Sequence, residues 1–356
     1  MAKFHSLKVA EVRKETDDSV AVTFEVPDEL KGEFDFQPGQ HLTLRAVLDG
    51  EECRRSYSIC AGKDEGILRV AIKRIPEGRF SCFANDDLKP GQVLEVMTPM
   101  GHFCPVIDPA HAKTYVAFAA GSGITPILSI IKTVLAQEPN SRFLLFYGNR
   151  TVGSVMFREE IEDLKNLHMT RFSVFHVLSR ENQDVDILNG RIDGDRARRL
   201  LQAFAPADMV DEVFICGPQS MIEGVTEALV DMGMPRERIH FELFHTEATP
   251  PARREVPVES TKGAARVAIR VNGVATEFDL PFNGDTILDA AQAHGADVPF
   301  SCKGGVCCTC RAKVVEGKVD MAVNYALDED EVAAGFVLTC QSRPLTDRVV
   351  VDYDQA

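Results

Sequence analysis

Four cysteines towards the end of the chain have the spacing of a metal site. Three stand at C-x4-C-x2-C in one loop and the fourth follows further along the chain: Cys302, Cys307, Cys310 and Cys340. Four thiolates at this spacing are the ligands of a plant-type [2Fe–2S] cluster. Gly304 and Gly305 lie inside the loop, where glycine permits close backbone approach and N–H donation to cluster sulfurs. The sequence therefore predicts a two-iron centre.

Two alternatives for these cysteines remain open: a zinc site, and a buried group of thiols without metal. Zinc sites favour C-x2-C pairs or histidine partners, and only Cys307 and Cys310 have that spacing. A Rieske centre requires two histidine ligands, and no histidine neighbours these cysteines. Cys308 does not fit the ligand spacing, so we expect it to pack beside the cluster.

Two stretches in the first 108 residues suit a phosphate and a flat ring. In Arg55-Ser56-Tyr57-Ser58, the arginine and the tyrosine share one strand face. Lys73 and Arg74 precede the second stretch, Gly78-Arg79-Phe80-Ser81. We expect Ser81 to cap a helix over Cys82–Leu88, and free N–H groups at a helix start bind pyrophosphate. A tyrosine in a strand is more often a packing residue, so this pattern alone is weak.

The middle of the chain carries a glycine motif between a strand and a helix. Gly121-Ser122-Gly123 is followed by Thr125 and Pro126, a phosphate-binding context in which proline suits the first helical turn. It is not the dinucleotide fingerprint, because Pro126 replaces the third glycine. As a lone motif it is a plain turn about as often as a site.

If the glycine motif belongs to a nicotinamide-dinucleotide site, charge favours NADPH over NADH. A 2′-phosphate needs cationic partners, whereas a 2′-hydroxyl is usually held by an acidic residue after a strand. Here Arg150 follows one predicted strand, and Ser179 with Arg180 follows the next. Arginine forms bidentate charge-assisted bonds to phosphate, so these three residues form a predicted clamp. The alternative is that they are solvated loop residues.

The elements that must position these residues follow two different patterns. Residues 1–108 contain short alternating runs between turn signals, which predicts an antiparallel barrel. Its predicted strands are Leu7–Val12, Ser19–Val26, His41–Ala46, Arg54–Cys60, Leu68–Arg74 and Val93–Met97. Residues 109–245 alternate strands with helices, which predicts a parallel sheet covered on both faces. Its strands are Thr114–Phe118, Arg142–Tyr147, Arg171–Val177 and Glu212–Cys216, with helices to about Gln137 and near Phe157–Leu167, Asp195–Phe204 and Pro218–Met232.

A third domain is expected at 265–356, behind a linker. Residues 246–264 are rich in proline and mixed charge without an apolar period, as in a tether. Asn272-Gly273 predicts a two-residue hairpin turn, and Thr286 is a candidate cap for a helix over Ile287–His294. Later strands are expected at Arg311–Glu316, Val337–Thr339 and Arg348–Asp352, with a helix at Asp328–Ala334. Mixed strands around one helix predict a β-grasp arrangement.

Composition bounds the class of protein. A length of 356 residues, with 45% hydrophobic and 26% charged residues, suits two or three soluble domains. The first residues lack a signal-peptide pattern and no apolar run reaches a membrane span, so we expect a cytoplasmic protein in which ten cysteines form no disulfides. A net charge of −15 without a basic patch argues against nucleic acid or anionic membranes as partners.

The motifs together resemble the ferredoxin–NADP reductase superfamily, with its R-x-Y-S, G-x-x-S, G-x-G-x-x-P and C-G-P patterns. The resemblance implies FAD held by Arg55 and by Gly78–Ser81, with Tyr57 stacked on the flavin ring and Ser58 near its N5. It also implies that Cys216-Gly217-Pro218 lies beside the nicotinamide. Glu242 and Phe244 resemble the residues that end this domain near the flavin. The resemblance thus makes Ser58, Cys216 and Glu242 the candidate catalytic residues.

The whole chain resembles oxygenase reductases that carry flavin, nicotinamide and ferredoxin domains in this order. Lys303–Cys307, Ala333–Gln341 and His240–Thr246 are similar to the reductase subunits of phenylacetyl-CoA epoxidase complexes. The resemblance implies electron transfer from NADPH through FAD and [2Fe–2S] to a di-iron oxygenase that epoxidises phenylacetyl-CoA. Open alternatives are the reductase of a ring-hydroxylating, steroid or alkane oxygenase using NADH, a diaphorase-type enzyme, and a zinc-binding scaffold without redox activity.

Overall fold

A computed structural model of the chain describes residues 3–244 and 263–355. The described residues form two compact units, residues 4–244 and residues 263–355. The predicted linker at 246–264 lies outside the described residues except for its last two positions.

The first part of the larger unit is an antiparallel barrel, as the alternating runs predict. Its strands are β1 (Phe4–Thr16), β2 (Ser19–Glu25), β3 (His41–Leu48), β4 (Glu51–Ser58), β5 (Leu68–Lys73) and β6 (Val93–Met97). They pair in the order β4-β3-β6-β1-β2-β5. A bridge between Ile59 and Val70 joins the two edges. The inward side chains, among them Leu7, Leu42 and Val96, are fully buried.

The helix of the barrel, α1, spans Arg79–Asp86 and begins earlier than predicted. Gly78 is its N-cap residue, so the expectation that Ser81 caps a helix over Cys82–Leu88 is wrong. Ser81 is buried in the first turn, where its hydroxyl accepts from the Ile75 N–H at 3.0 Å and donates to the Gly78 carbonyl at 3.1 Å. The serine therefore fixes the loop that enters the helix from inside.

The second part of the larger unit is a parallel sheet with helices between its strands. The strands are β7 (Thr114–Ala120), β8 (Arg142–Asn149), β9 (Phe172–Leu178), β10 (Glu212–Cys216) and β11 (Ile239–Glu242). The helices are α2 (Ile124–Gln137), α3 (Arg158–Leu167), α4 (Gly194–Phe204) and α5 (Gln219–Asp231). The sheet order β11-β10-β7-β8-β9 puts the apolar strand β7 at the centre, with Tyr115–Ala119 fully buried. A strand buried on both faces is typical of a parallel sheet.

The second unit is a mixed sheet with two short helices, close to the predicted positions. Its elements are β12 (Ala264–Val271), β13 (Val274–Pro281), α6 (Ile287–Ala293), β14 (Arg311–Glu316), β15 (Val319–Met321), α7 (Glu329–Ala333), β16 (Phe336–Leu338), β17 (Ser342–Pro344) and β18 (Arg348–Asp352). The main sheet has the order β13-β12-β18-β14-β16. The short pair β15–β17 was not predicted, because three-residue strands carry no readable period.

Two local predictions in this unit are confirmed. Asn272 and Gly273 both have positive φ, 54° and 74°, as a type I′ hairpin turn requires. The Asp354 carboxylate accepts from both of their N–H groups at 2.8 Å, which secures the turn. The Thr286 hydroxyl caps α6 by accepting from the Asp289 N–H at 3.2 Å.

Candidate cofactor sites

The predicted flavin stretch lies where β4 and α1 meet. The rings of Tyr57 and Phe80 are 5.7 Å apart, so the strand and the helix contact each other through aromatic side chains. Gly78 must be glycine, because an added Cβ would lie 2.5 Å from the Ser81 hydroxyl oxygen. The first N–H groups of a helix lack partners inside it. This corner thus offers N–H donors beside an aromatic ring, as the pyrophosphate and ring system of a flavin nucleotide require.

The cations predicted around this corner differ in whether they form ion pairs with carboxylates. Lys73 pairs with Asp18 at 3.3 Å, and Arg79 pairs with Glu51 at 2.7 Å. Within residues 3–244, the exposed Arg55 has no carboxylate partner and donates only to the Arg54 carbonyl, at 2.7 Å. Arg55 is therefore the cation of this group that is free to bind an anion.

The glycine motif and the Cys216-Gly217 loop are packed against each other. A Cβ added to Gly123 would lie 2.1 Å from the Cys216 carbonyl oxygen, so only glycine fits there. Gly217 is equally confined, because its added Cβ would lie 2.4 Å from Met221 Cε and 3.1 Å from Ala120 Cβ. The structure thus brings together two motifs that are far apart in the sequence, at the carboxyl edge of the sheet.

The turn of the glycine motif is itself held by side chains. Gly121 has a φ of 54°, and its carbonyl accepts from the Tyr147 hydroxyl at 2.9 Å. The Thr125 hydroxyl donates to the Ser122 carbonyl at 3.0 Å. Pro126 lies in the first turn of α2, where its missing N–H costs no hydrogen bond, as predicted.

A serine of the barrel and a glutamate of the parallel sheet meet beside these loops. The Ser58 hydroxyl donates to the Glu242 carboxylate at 3.1 Å. Glu242 in turn stands in register with Cys216 on the neighbouring strand. The three residues proposed as catalytic from the resemblance are thus grouped at one place, and Phe244 follows with 37% of its surface exposed.

Burial controls the protonation of this group. It raises the pKa of the Glu242 carboxyl to about 8, although the hydrogen bond from Ser58 opposes the rise. Burial, together with the Glu242 charge, raises the pKa of the Cys216 thiol well above its ordinary value. Cys216 therefore stays a thiol at neutral pH and is not a thiolate nucleophile.

The predicted clamp residues lie side by side at the end of β8 and β9. The Ser179 N–H donates to the Asn149 carbonyl at 3.0 Å, and the Arg180 N–H donates to the Arg150 carbonyl at 2.8 Å. Arg150, Ser179 and Arg180 are all exposed, and within residues 3–244 neither guanidinium has a carboxylate partner. Sequence reasoning missed Glu181, whose carboxylate accepts from the Val152 N–H at 2.8 Å in the same loop.

The four cysteines with ligand spacing converge in the second unit. Their sulfur atoms form one contiguous group, in which Cys302 contacts Cys307 at 3.1 Å and the Cys340 side chain interacts with both Cys302 and Cys310. Among the described residues, no three His, Cys, Asp or Glu side chains surround a single ion position. A two-iron cluster needs four thiolates in all, and the donor set here is all thiol.

Backbone and amide donors surround these sulfurs. The Gly304 N–H donates to Cys302 Sγ at 3.3 Å, and Gln341 Nε2 donates to Cys340 Sγ at 3.4 Å. Cys308 points elsewhere, into the apolar core, and its thiol donates to the Ala326 carbonyl at 3.1 Å. The residues therefore fit a [2Fe–2S] cluster, and Cys308 packs in the core beside these four cysteines, as expected.

Three sequence families match successive parts of the chain. They are described as an oxidoreductase FAD-binding domain (residues 6–104), an oxidoreductase NAD-binding domain (residues 118–227) and a 2Fe-2S iron-sulfur cluster binding domain (residues 269–345). These matches confirm the predicted fold classes and the predicted cofactors FAD, NAD(P)H and [2Fe–2S]. No helix within residues 3–244 or 263–355 is long and apolar enough to cross a membrane.

Relatives along the full length belong to oxygenase systems. The chain is 48% identical to a subunit of the 1,2-phenylacetyl-CoA epoxidase of Escherichia coli (strain K12), with 99% of each chain covered. It is 36% identical to the ferredoxin reductase component of 3-ketosteroid-9-alpha-monooxygenase from Rhodococcus rhodochrous, covering 98% of this chain and 96% of the relative. The structure of phthalate dioxygenase reductase matches with a TM-score of 0.58 and 25% identity over 98% of both chains.

Proposed function

The chain belongs to the ferredoxin reductase family as the reductase component of an oxygenase, and we propose that it carries electrons from NADPH to a di-iron oxygenase that epoxidises phenylacetyl-CoA. The observation that carries this proposal is the 48% identity, over 99% of both chains, to a component of the epoxidase. A ketosteroid monooxygenase relative of similar coverage is only 36% identical. The oxygenase partner is common to these relatives, and the epoxidase assignment rests on the higher identity.

We propose the domain limits 1–108 for FAD binding, 109–245 for the nicotinamide and 265–356 for the cluster. When bound within these domains, FAD would supply the conversion between two-electron chemistry at the nicotinamide and one-electron chemistry at a [2Fe–2S] centre held by the four cysteines. The chain's own residues hold the reacting groups in place. The helix start at Gly78–Ser81 and Arg55, which has no carboxylate partner within residues 3–244, bind the flavin pyrophosphate, and Tyr57 packs against the ring.

The Ser58–Glu242 pair lies where the nicotinamide must reach the flavin. We propose that the Ser58 hydroxyl hydrogen-bonds the flavin edge and that Glu242, whose pKa is raised by burial, limits water access beside it. The tight contact of Gly123 with the Cys216 carbonyl fixes the loop against which the nicotinamide lies. We propose that Phe244, which is partly exposed two residues after the end of β11, also lies near the flavin.

We propose NADPH as the electron donor because two exposed guanidinium groups, without a carboxylate partner within residues 3–244, stand at the edge of the sheet. Arg150 and Arg180 are joined through their backbones, so both side chains can reach one phosphate. Glu181 does not replace this clamp, since its carboxylate is engaged by the Val152 N–H. We also propose a cytoplasmic location, where thiols persist, because none of the ten cysteines, all of which lie within the described residues, forms a disulfide.

The proposed function is tested by reconstitution. The purified holoprotein is mixed with the oxygenase subunits of a phenylacetyl-CoA epoxidase, and oxidation of NADPH is followed with and without phenylacetyl-CoA. We expect oxidation that depends on phenylacetyl-CoA and yields the epoxide in equal amount. Oxidation that proceeds at the same rate without the oxygenase subunits, and yields no epoxide, would contradict the proposal and favour a diaphorase.

A further inference from the structure

A cluster of charged residues joins the barrel to the parallel-sheet domain within residues 4–244. The Glu160 carboxylate, in α3, forms ion pairs with Arg69 of β5, at 2.6 Å, and with Lys132 of α2. Lys132 also binds Glu65 of the barrel at 2.7 Å, and Arg13 of β1 reaches Glu160 at 3.5 Å. We call these five residues the Glu160 cluster.

The Glu160 cluster is largely removed from water. Arg69 and Lys132 are each 7% exposed, so neither cation is solvated on its own. Burial alone would raise the pKa of Glu160, but Lys132 and Arg69 outweigh it and hold the pKa below its ordinary value. Buried charges of this kind persist only when they are paired. Glu160 is thus the shared counterion of two buried cations that belong to different domains.

Near the Glu160 cluster, the loop that follows the flavin-site strand β4 contacts α2, the helix that follows the glycine motif. The barrel loop after β4 packs on α2: the Ser129 hydroxyl donates to the Ala61 carbonyl at 2.6 Å, and the Lys63 N–H donates to the Thr133 hydroxyl at 3.1 Å. A Cβ added to Gly62 would lie 2.9 Å from Lys132 Cβ, so the loop backbone lies directly against the Lys132 side chain of α2.

This geometry connects the two ends of the hydride path. The strand that carries Tyr57 and Ser58 continues directly into the loop that contacts α2. Helix α2 begins directly after Gly123, the residue confined against Cys216. A change in how the loop sits on α2 therefore changes the distance between the flavin strand and the nicotinamide loop.

We propose that Glu160 is a positioning residue for hydride transfer, which holds the nicotinamide domain in register with the flavin domain through Arg69 and Lys132. It touches neither cofactor-binding motif and acts through the contact of the barrel loop with α2. Reaction rates are sensitive to such placement, since a displacement of about 1 Å costs on the order of 10²-fold.

The test compares Glu160→Gln with Glu162→Gln in the FAD-loaded protein. Glu162 is on the same helix, where it forms an exposed pair with Arg158, so its variant controls for a lost surface charge. Each protein is mixed anaerobically with NADPH or NADH, whichever reduces it faster, and loss of flavin absorbance is followed by stopped flow. For Glu160→Gln we expect flavin reduction at saturating nucleotide to slow by roughly 10-fold or more, with nucleotide affinity unchanged within about two-fold.

A purely structural role gives a different result. If Glu160→Gln lowers the melting temperature but reduces flavin at the rate of Glu162→Gln, the proposal is overturned. Should Glu160→Gln fail to load FAD, Glu160→Asp keeps the charge but withdraws it by one methylene group. We expect Glu160→Asp to slow flavin reduction measurably with unchanged affinity, and a wild-type rate in that variant overturns the proposal. Because flavin reduction is measured without an oxygenase, the outcome is independent of the physiological acceptor.

Discussion

Replacement of Gly123 by alanine is expected to slow the transfer of hydride to the flavin without removing any cofactor ligand. The added Cβ would lie 2.1 Å from the Cys216 carbonyl oxygen, whereas an ordinary contact is about 3.5 Å. The Cys216 loop must therefore withdraw by more than about 1 Å. A misplacement of this size costs on the order of 10²-fold in rate, or about 2.7 kcal/mol of activation free energy. The assay is stopped-flow loss of flavin absorbance with NADPH.

Two matched glycines separate the clash from other effects of an added methyl group. Gly153→Ala meets no atom within 4 Å, and we expect the wild-type rate. Gly121→Ala also meets open space but has a φ of 54°, so it adds backbone strain of about 1–2 kcal/mol without a clash. If Gly123→Ala reduces its flavin as fast as Gly153→Ala, the close packing of the two loops does not position the nicotinamide, and the reasoning fails.

Three further predictions concern other parts of the chain. Arg180→Ala is expected to weaken NADPH binding by about 10-fold or more, because charge-assisted bonds to the 2′-phosphate are lost, and to leave NADH binding within about two-fold; equal weakening of both in titrations would exclude Arg180 from the clamp. In the apoprotein, the pKa of Glu242 is raised to about 8, so the folded chain keeps a proton that the unfolded chain releases from about pH 4.5 upwards. The wild type therefore loses stability as the pH rises through this window. Because Glu242→Gln cannot ionise, its free energy of unfolding relative to that of the wild type should rise by up to about 4 kcal/mol between pH 5 and pH 8. If denaturant unfolding gives the same difference between the two proteins at both pH values, the raised pKa is contradicted. Thr286→Ala removes the cap of α6 and should destabilise the 263–355 unit by about 1 kcal/mol in urea unfolding, while Thr286→Ser should not, and an unchanged midpoint for the alanine variant would show that the cap contributes nothing.

Most of the fold could be predicted from the sequence because the apolar residues of its helices and strands recur with clear periods. The strand at Val93–Met97 and the strand at Arg348–Asp352 have the predicted limits, since alternation and turn residues bound them on both sides. The helix at Arg79–Asp86 was misplaced at its start, because its serine is used inside the first turn and its N-cap is a glycine. The β15–β17 pair is too short to show a period, and only the fold of the surrounding chain pairs its strands.

The site was predictable where function resides in local motifs and hidden where it depends on long-range contacts. The cysteine spacing and the glycine motif are local, and the structure brings the members of each together. The hydrogen bond from Ser58 to Glu242 links two domains, and no pattern in the sequence indicates that these two side chains touch. The ion pairs of Glu160 are of the same kind, because a glutamate in an amphipathic helix reads as a solvated surface residue.

The proposed function requires that electrons pass from the flavin to the oxygenase only through the four-cysteine centre. The most direct measurement compares Cys302→Ser with Cys308→Ser, since Cys302 belongs to the sulfur group and Cys308 packs in the core. For each variant, NADPH oxidation is measured with an artificial acceptor that takes electrons from the flavin, and with the oxygenase. We predict that Cys302→Ser keeps most of the first activity and loses the second, whereas Cys308→Ser keeps both. Equal loss of both activities in Cys302→Ser, or normal electron delivery to the oxygenase, would contradict the account.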